Sequence, residues 1–281
     1  MSEATSATSP KQIGSAGLTG LTDEQVSAYW RDGYVIVRGL FDETTLAPWR
    51  ERVRDLATRR VPPSPNMTLV RDVMFAKGAA EPLTPEHEIC KINFFENDPV
   101  LATYANHPGL LDCIEALLGP ELLFVNSMVI TKPPGVDGRH PLHQDLLYFG
   151  FRPGDALVGT WTALEEVNRD NGGLSVLPRS HRGTLLEHDV PDWDYVNAGF
   201  FGANNIDPNA ERVHVEMNAG DTLLFHSQLL HGSGTNRTDR FRRAISTHYV
   251  RTTADDLWNG KDVISNRPWI PVRAAAQRPE S

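Results

Sequence analysis

From Leu122 onward the chain is a series of short β-rich runs separated by clusters of Gly, Pro, Asn and Asp. The runs are LLFVNSMVIT, ALVGTWTAL, LSVLP, RVHVEM, DTLLFHSQLLH and RAISTHYV. Many short strands at fairly regular spacing, with no internal repeat and no heptad, predict a sandwich or a jelly roll. The expected fold is mainly β with α: a double-stranded β-helix (a cupin-like jelly roll) carrying helices on its outer face.

The helices come from the N-terminal third. Thr22 and Gln25 stand three apart as a capping box; Val26, Tyr29 and Trp30 follow at helical spacing, and Gly33 supplies the stop. YVIV at 34–37 reads as a buried strand. Asp42 then caps a helix with the stripe Leu46, Trp49, Val53 and Leu56. A further helix is expected from about Pro108 to Leu118, ended by Gly119-Pro120. A length of 281 residues with 40% hydrophobic content suffices for one large core, and no stretch in the middle reads as a linker. One domain is therefore expected over 21–270, with a helical part at 21–120 and a jelly-roll part at 121–252. Residues 1–20 and 271–281 are expected to be tails, the first disordered and the second polar.

Charge and cysteine usage exclude several functions. The chain has 27 Lys and Arg against 36 Asp and Glu, a net charge of −9, and no basic run interleaved with aromatics. Such a balance repels phosphate backbones and argues against nucleic acid as a partner. Cys90 and Cys113 lack metal-ligand spacing and read as small buried thiols. No apolar run approaches the roughly 18 residues of a membrane span. The N-terminal segment has no apolar signal region and the C-terminal residues no peroxisomal address, so a cytoplasmic location is expected.

The chemistry concentrates in Arg139-His-Pro-Leu-His143-Gln144-Asp145. In an extended segment, residues i and i+2 point to the same side, so His143 and Asp145 can offer an imidazole nitrogen and a carboxylate oxygen to one metal. His231, at the end of a strand-like run and before glycines, is the candidate third ligand. Two His and one carboxylate leave three positions of an octahedron open, the pattern of non-haem iron(II) oxygenases. A bare His-x-acid pair is a weak signal in a chain with ten His, and His214-Val215-Glu216 competes with it. Arg242, on the next run, is the candidate partner for the far carboxylate of 2-oxoglutarate, through its bidentate fork. Ser233 can add a hydroxyl. Alternation in RFRRAISTHYV puts Arg242, Ala244 and Ser246 on one face and turns Arg243 to the other, where it is expected to be dispensable.

Together these segments resemble the phytanoyl-CoA dioxygenase family, from about Leu21 to about Val250. The resemblance is carried by LTDEQVSAYWRDGYVIVRGL, LVRDV, KPPG, RHPLHQDLLYFGFRP, WTALEEVNRDNGGLSVLPRSH and GDTLLFHSQLLHGSGTNRTDRFRRAIS, and is closest to the phytanoyl-CoA hydroxylase branch. It implies His143, Asp145 and His231 as iron(II) ligands, and Arg242 and Ser233 as 2-oxoglutarate contacts. By the same resemblance Lys91, Met128 and Trp161 become further 2-oxoglutarate contacts. The sequence departs from the family at Arg179, where Gly is frequent, and at Leu147, where the close branch can carry His.

The implied activity is hydroxylation of an unactivated C–H bond of a small organic substrate, with O2 and 2-oxoglutarate as cosubstrates and succinate and CO2 released. An acyl-CoA, a carrier-bound acyl group and a natural product all remain open as substrates, and the oligomeric state is not indicated. Asp145 favours hydroxylation over halogenation, since halogenating relatives replace the carboxylate with a small residue. The rival readings are a cupin-like metal-binding protein without oxygenase activity and a zinc hydrolase. A pocket is expected at one mouth of the barrel, lidded by the Gly-, Asn- and aromatic-rich stretch between Arg182 and Glu211.

Overall fold

A computed structural model describes residues 20–259 and 267–272; the expected tails at 1–19 and 273–281 lie outside them. Two antiparallel sheets face each other. Among the described residues the larger has eight strands. Six of them run in the order Tyr34–Val37, Thr222–His226, Leu157–Ala163, Arg242–Arg251, Leu122–Lys132 and Ile89–Asn93; Thr68–Arg71 follows at the edge, and Ile270–Val272 also pairs with Leu122–Lys132. The smaller runs Val213–His214, Leu174–Val176, His231–Ser233, His140–His143. This is the double-stranded β-helix.

The faces of the large sheet follow from the two-residue period of its central strand. Ile245 and Tyr249 of Arg242–Arg251 pack into the cluster formed by Leu46, Trp49, Val53 and Leu56 of helix Glu43–Ala57 and by Leu110, Ile114 and Leu117 of helix Pro108–Leu118. Ala244, of opposite parity, packs with Trp161, Leu174, Val176 and Phe225 between the sheets. The helix layer is registered by polar contacts as well: the Tyr104 hydroxyl lies 2.9 Å from the hydroxyls of both Thr160 and Thr162. Both faces of the central strands are covered, so Leu157–Ala163 is buried at every residue and lacks the alternation of a half-exposed strand.

Local expectations hold for the helices. Thr22 and Gln25 form the capping box of Asp23–Asp32, and Gly33 closes it at φ 87°. Asp42 accepts from the Thr45 amide at the start of Glu43–Ala57. Two boundaries need correction. The stretch 21–120 is not a helical part with one strand: Thr68–Arg71 and Ile89–Asn93 also join the large sheet. Pro271 and Val272, assigned to a polar tail, pair with Leu123 and Leu122.

Arg243 is also corrected. It does face away from Arg242, but that face is covered by protein, and Arg243 is 7% exposed. Its guanidinium donates to Glu86 at 2.5 and 2.9 Å and forms a second ion pair with Glu165. Removing the cation leaves two poorly solvated carboxylates together, so Arg243→Ala should cost about 3–5 kcal/mol in urea unfolding. The apparent KM for 2-oxoglutarate should stay near the parent value. A loss below about 1 kcal/mol, the range of exposed pairs, would mean that this face is open to solvent.

Candidate metal centre and adjoining cavity

His143 ends the strand His140–His143, and His231 opens the strand directly paired with it, so the two imidazoles are register partners. Asp145 opens the single 3-10 turn Asp145–Tyr148 that follows. One ligand atom from each of the three lies within 4.8 Å of the others, and all three residues are buried. The tautomers are set by the backbone. His143 Nδ1 lies 2.9 Å from the Pro141 carbonyl and His231 Nδ1 2.9 Å from the Leu229 carbonyl. A carbonyl only accepts, so each Nδ1 carries a hydrogen and Nε2 is the nitrogen left to serve a metal. Burial pushes the His231 imidazole down to about 4, which keeps it neutral near pH 7.

The two Nε2 atoms lie 3.1 and 3.6 Å from Asp145 Oδ1. Burial opposes ionisation of Asp145, but the surrounding imidazoles hold it well below the usual carboxylate range. With both Nε2 atoms free of hydrogen, as metal binding requires, two imidazole nitrogens and one carboxylate oxygen converge on one point. That donor set fits a divalent cation, and its nitrogen and oxygen composition suits iron(II). The competing pair His214 and Glu216 is exposed on the short strand Val213–His214 and its continuation.

A cavity of about 270 Å³ adjoins the cluster. Lys91, Met128, Trp161, Ser233 and Arg242 all line it, together with His143, Asp145 and His231. Arg242 is 1% exposed, and its Nη2 donates to the Gly172 carbonyl at 3.1 Å. Its Nε and Nη1 are buried without a hydrogen-bond partner among the described residues, and its guanidinium sits 5.4 Å from the Trp161 ring centre. Burial lowers it to about 9, so it remains charged near pH 7. A buried cation with N–H groups that no protein acceptor takes up fits a carboxylate. Lys91 has its ammonium 4.9 Å from the Phe200 ring centre, and its pKa is lowered by desolvation.

Several lining residues had not been singled out. His248 Nε2 lies 2.7 Å from Asp145 Oδ2. It has the same strand parity as Arg242, a signal present in the sequence. His140 stacks on His143 at 4.0 Å and on Phe200 at 3.8 Å. Gln144 turns away from the cluster: its amide donates to the Thr184 and Gln228 carbonyls and accepts from the Leu186 amide. Gln144 is therefore not available to the cluster, whereas His140 is. Arg179 adopts φ 69°, a conformation natural to the Gly frequent in the family, and Leu147 does not line the cavity.

The stretch between Arg182 and Glu211 includes a small hairpin, His188–Asp189 with Gly202–Ala203. Ala198 and Gly199 border the cavity. Asn197 fixes the stretch by donating to Asp72 and accepting from the Val73 amide, both at 2.8 Å. Tyr148 donates to the Gly199 carbonyl at 2.9 Å. No helix among the described residues is long and apolar enough to cross a membrane.

Comparison with known proteins agrees with this geometry. The family profile of phytanoyl-CoA dioxygenase matches residues 29–244. A probable phytanoyl-CoA dioxygenase of Caenorhabditis elegans is 42% identical over 244 residues, 84% of this chain and 77% of the relative. The human peroxisomal phytanoyl-CoA dioxygenase is 40% identical over 234 residues, 82% of this chain and 68% of the relative. Among solved structures, the epimerase SnoN in complex with Fe3+, alpha ketoglutarate and nogalamycin RO superposes with a TM-score of 0.64 at 22% identity, covering 90% of this chain and 96% of SnoN. EctD from S. alaskensis, in its apoform, gives 0.64 at 22% identity, covering 88% of this chain and 79% of EctD. The fold is thus shared with SnoN and EctD, and the chain belongs to the phytanoyl-CoA dioxygenase family.

Proposed function

We propose that this protein is an iron(II)/2-oxoglutarate-dependent dioxygenase that hydroxylates an unactivated C–H bond of an acyl thioester. The observation that carries the reading is the pairing of two complementary groups along one cavity. His143, Asp145 and His231 converge as the ligand set of a cation, and Arg242 presents N–H groups that no protein acceptor takes up. His143 and His231 would hold the metal through Nε2, and Asp145 through Oδ1. Arg242 would hold the distal carboxylate of 2-oxoglutarate through its guanidinium, with Ser233, Lys91, Met128 and Trp161 shaping the space around that cosubstrate. When bound, the iron and 2-oxoglutarate supply O2-dependent C–H oxidation, with succinate and CO2 released.

The chain's own part is placement and exclusion. The backbone carbonyls of Pro141 and Leu229 fix both imidazole tautomers before any metal arrives. Trp161 packs beside the Arg242 guanidinium, away from water. Phe149, Tyr148, Ala198 and Gly199 line the same cavity. The thioester follows from the relatives named for phytanoyl-CoA, which cover most of this chain.

Three outcomes test the reading. His143→Ala and His231→Ala should abolish iron-dependent succinate formation while unfolding remains cooperative; retained wild-type succinate yield in either would remove that residue from the ligand set. Arg242→Met removes a buried, uncompensated charge, so the apoprotein should be at least as stable as the parent in urea. The same variant should raise the KM for 2-oxoglutarate tenfold to a thousandfold, about 2–4 kcal/mol at about 1.4 kcal/mol per tenfold. An unchanged KM would refute the clamp. Branched and linear acyl-CoAs should stimulate succinate formation well above the substrate-free rate, and the corresponding free acids should not. Equal stimulation by the acids would rule out recognition of the thioester.

A further inference from the structure

We infer that His248 is a positioning residue that holds Asp145 as a one-oxygen ligand and thereby keeps the metal's third open position free. The inference rests on the iron-site reading above. Asp145 divides its two oxygens between two tasks. Oδ1 faces Nε2 of His143 and His231 at 3.1 and 3.6 Å, while Oδ2 lies 2.7 Å from His248 Nε2. An ionised carboxylate has no hydrogen to give, so His248 Nε2 is the donor. With Oδ2 bound, the carboxylate cannot swing round to present both oxygens to the metal. Two imidazoles and one oxygen would occupy three positions of an octahedral metal and leave three for cosubstrates. A second carboxylate oxygen would take one of them.

The surroundings of His248 argue that it serves Asp145 rather than the packing of the strand. It is 3% exposed, and its other nitrogen, Nδ1, is buried without a hydrogen-bond partner among the described residues. An orphaned buried acceptor is unfavourable, and an apolar side chain would avoid it. Aromatic neighbours hold its ring, with Phe149 at 4.9 Å and Phe225 at 6.1 Å between centres. Phe225 fits there because Gly159, the register partner of His248, has no side chain: a Cβ on it would meet the Phe225 ring at 2.4 Å. The same Phe225 ring lies 4.8 Å from His231. The register with the neighbouring strand shifts immediately after His248, between it and Tyr249, an irregularity of the kind that re-aims a side chain.

The test is an anaerobic calorimetric titration of iron(II) into the full-length apoprotein and three variants. His248→Gln places an amide N–H near the position of Nε2, whereas His248→Asn is too short and His248→Leu has no donor. Loss of such an outer contact typically weakens metal affinity about 10- to 100-fold, and that loss is expected for Leu and Asn. Gln should bind within about threefold of the parent. At saturating iron, the KM for 2-oxoglutarate should stay near the parent value in the Gln variant, because the Arg242 clamp is untouched. Parent-like iron affinity in His248→Leu would overturn the inference, as would a Gln variant as weak as the Asn variant when both unfold cooperatively. If His248→Leu does not fold, the Gln and Asn pair decides the matter by the same criterion. A parent protein that takes up no iron(II) would instead refute the iron-site reading itself. Uptake by the parent with no difference among the variants would remove only the role of His248.

Discussion

The alternation of side chains along Arg242–Arg251 organises the rest of the molecule. One parity carries Arg242, Ser246 and His248 into the cavity, with Ala244 leaving room between the sheets. The other parity carries Arg243 to its two carboxylates and Ile245 and Tyr249 into the helix layer. A slip of one residue would exchange the two sets at once, placing a glutamate-paired arginine in the cavity and the proposed carboxylate clamp among apolar helices. The helices therefore do more than cover a sheet. By burying Ile245 and Tyr249 they fix the register that holds Arg242 and His248 in place.

That register sets an electrostatic imbalance. Arg242 and Lys132 are direct partners across adjacent strands, and both are buried. The Lys132 ammonium donates to the Gly234 carbonyl, and its pKa is pushed well below the usual range by burial and then by the charge of Arg242. Lys91 adds a desolvated amine on the cavity wall. Asp145 is the carboxylate lining the same cavity, and its oxygens are turned to three imidazoles. Such a cavity is organised around a dianion and a metal that the chain does not itself supply. Binding of either to the folded state alone must stabilise it by mass action.

Much of this was legible in the sequence because it follows from short-range rules. The two-residue spacing of His143 and Asp145 placed both on one side, and the capping residues Thr22 and Asp42 marked real helix starts. The parity argument correctly separated Arg242 from Arg243. It failed on what lies opposite, since alternation gives a face but not what covers it; Glu86 is 157 residues from Arg243 along the chain. The strands Thr68–Arg71 and Ile89–Asn93 were missed because they are four and five residues long and carry Arg71, Lys91 and Asn93, so their apolar signal is weak. His248 was readable by the parity rule, yet its contact with Asp145 depends on a fold that brings residues 103 apart together.

The central claim is that one cavity holds both ends of 2-oxoglutarate, the keto acid at the His143, Asp145 and His231 cluster and the far carboxylate at Arg242. An anaerobic titration of 2-oxoglutarate into the protein, with and without iron(II), tests it most directly. The account requires one equivalent to bind, with affinity that rises steeply when iron(II) is present, because only the metal completes the second point of attachment. Binding that is indifferent to iron(II), or no binding in its presence, would contradict it.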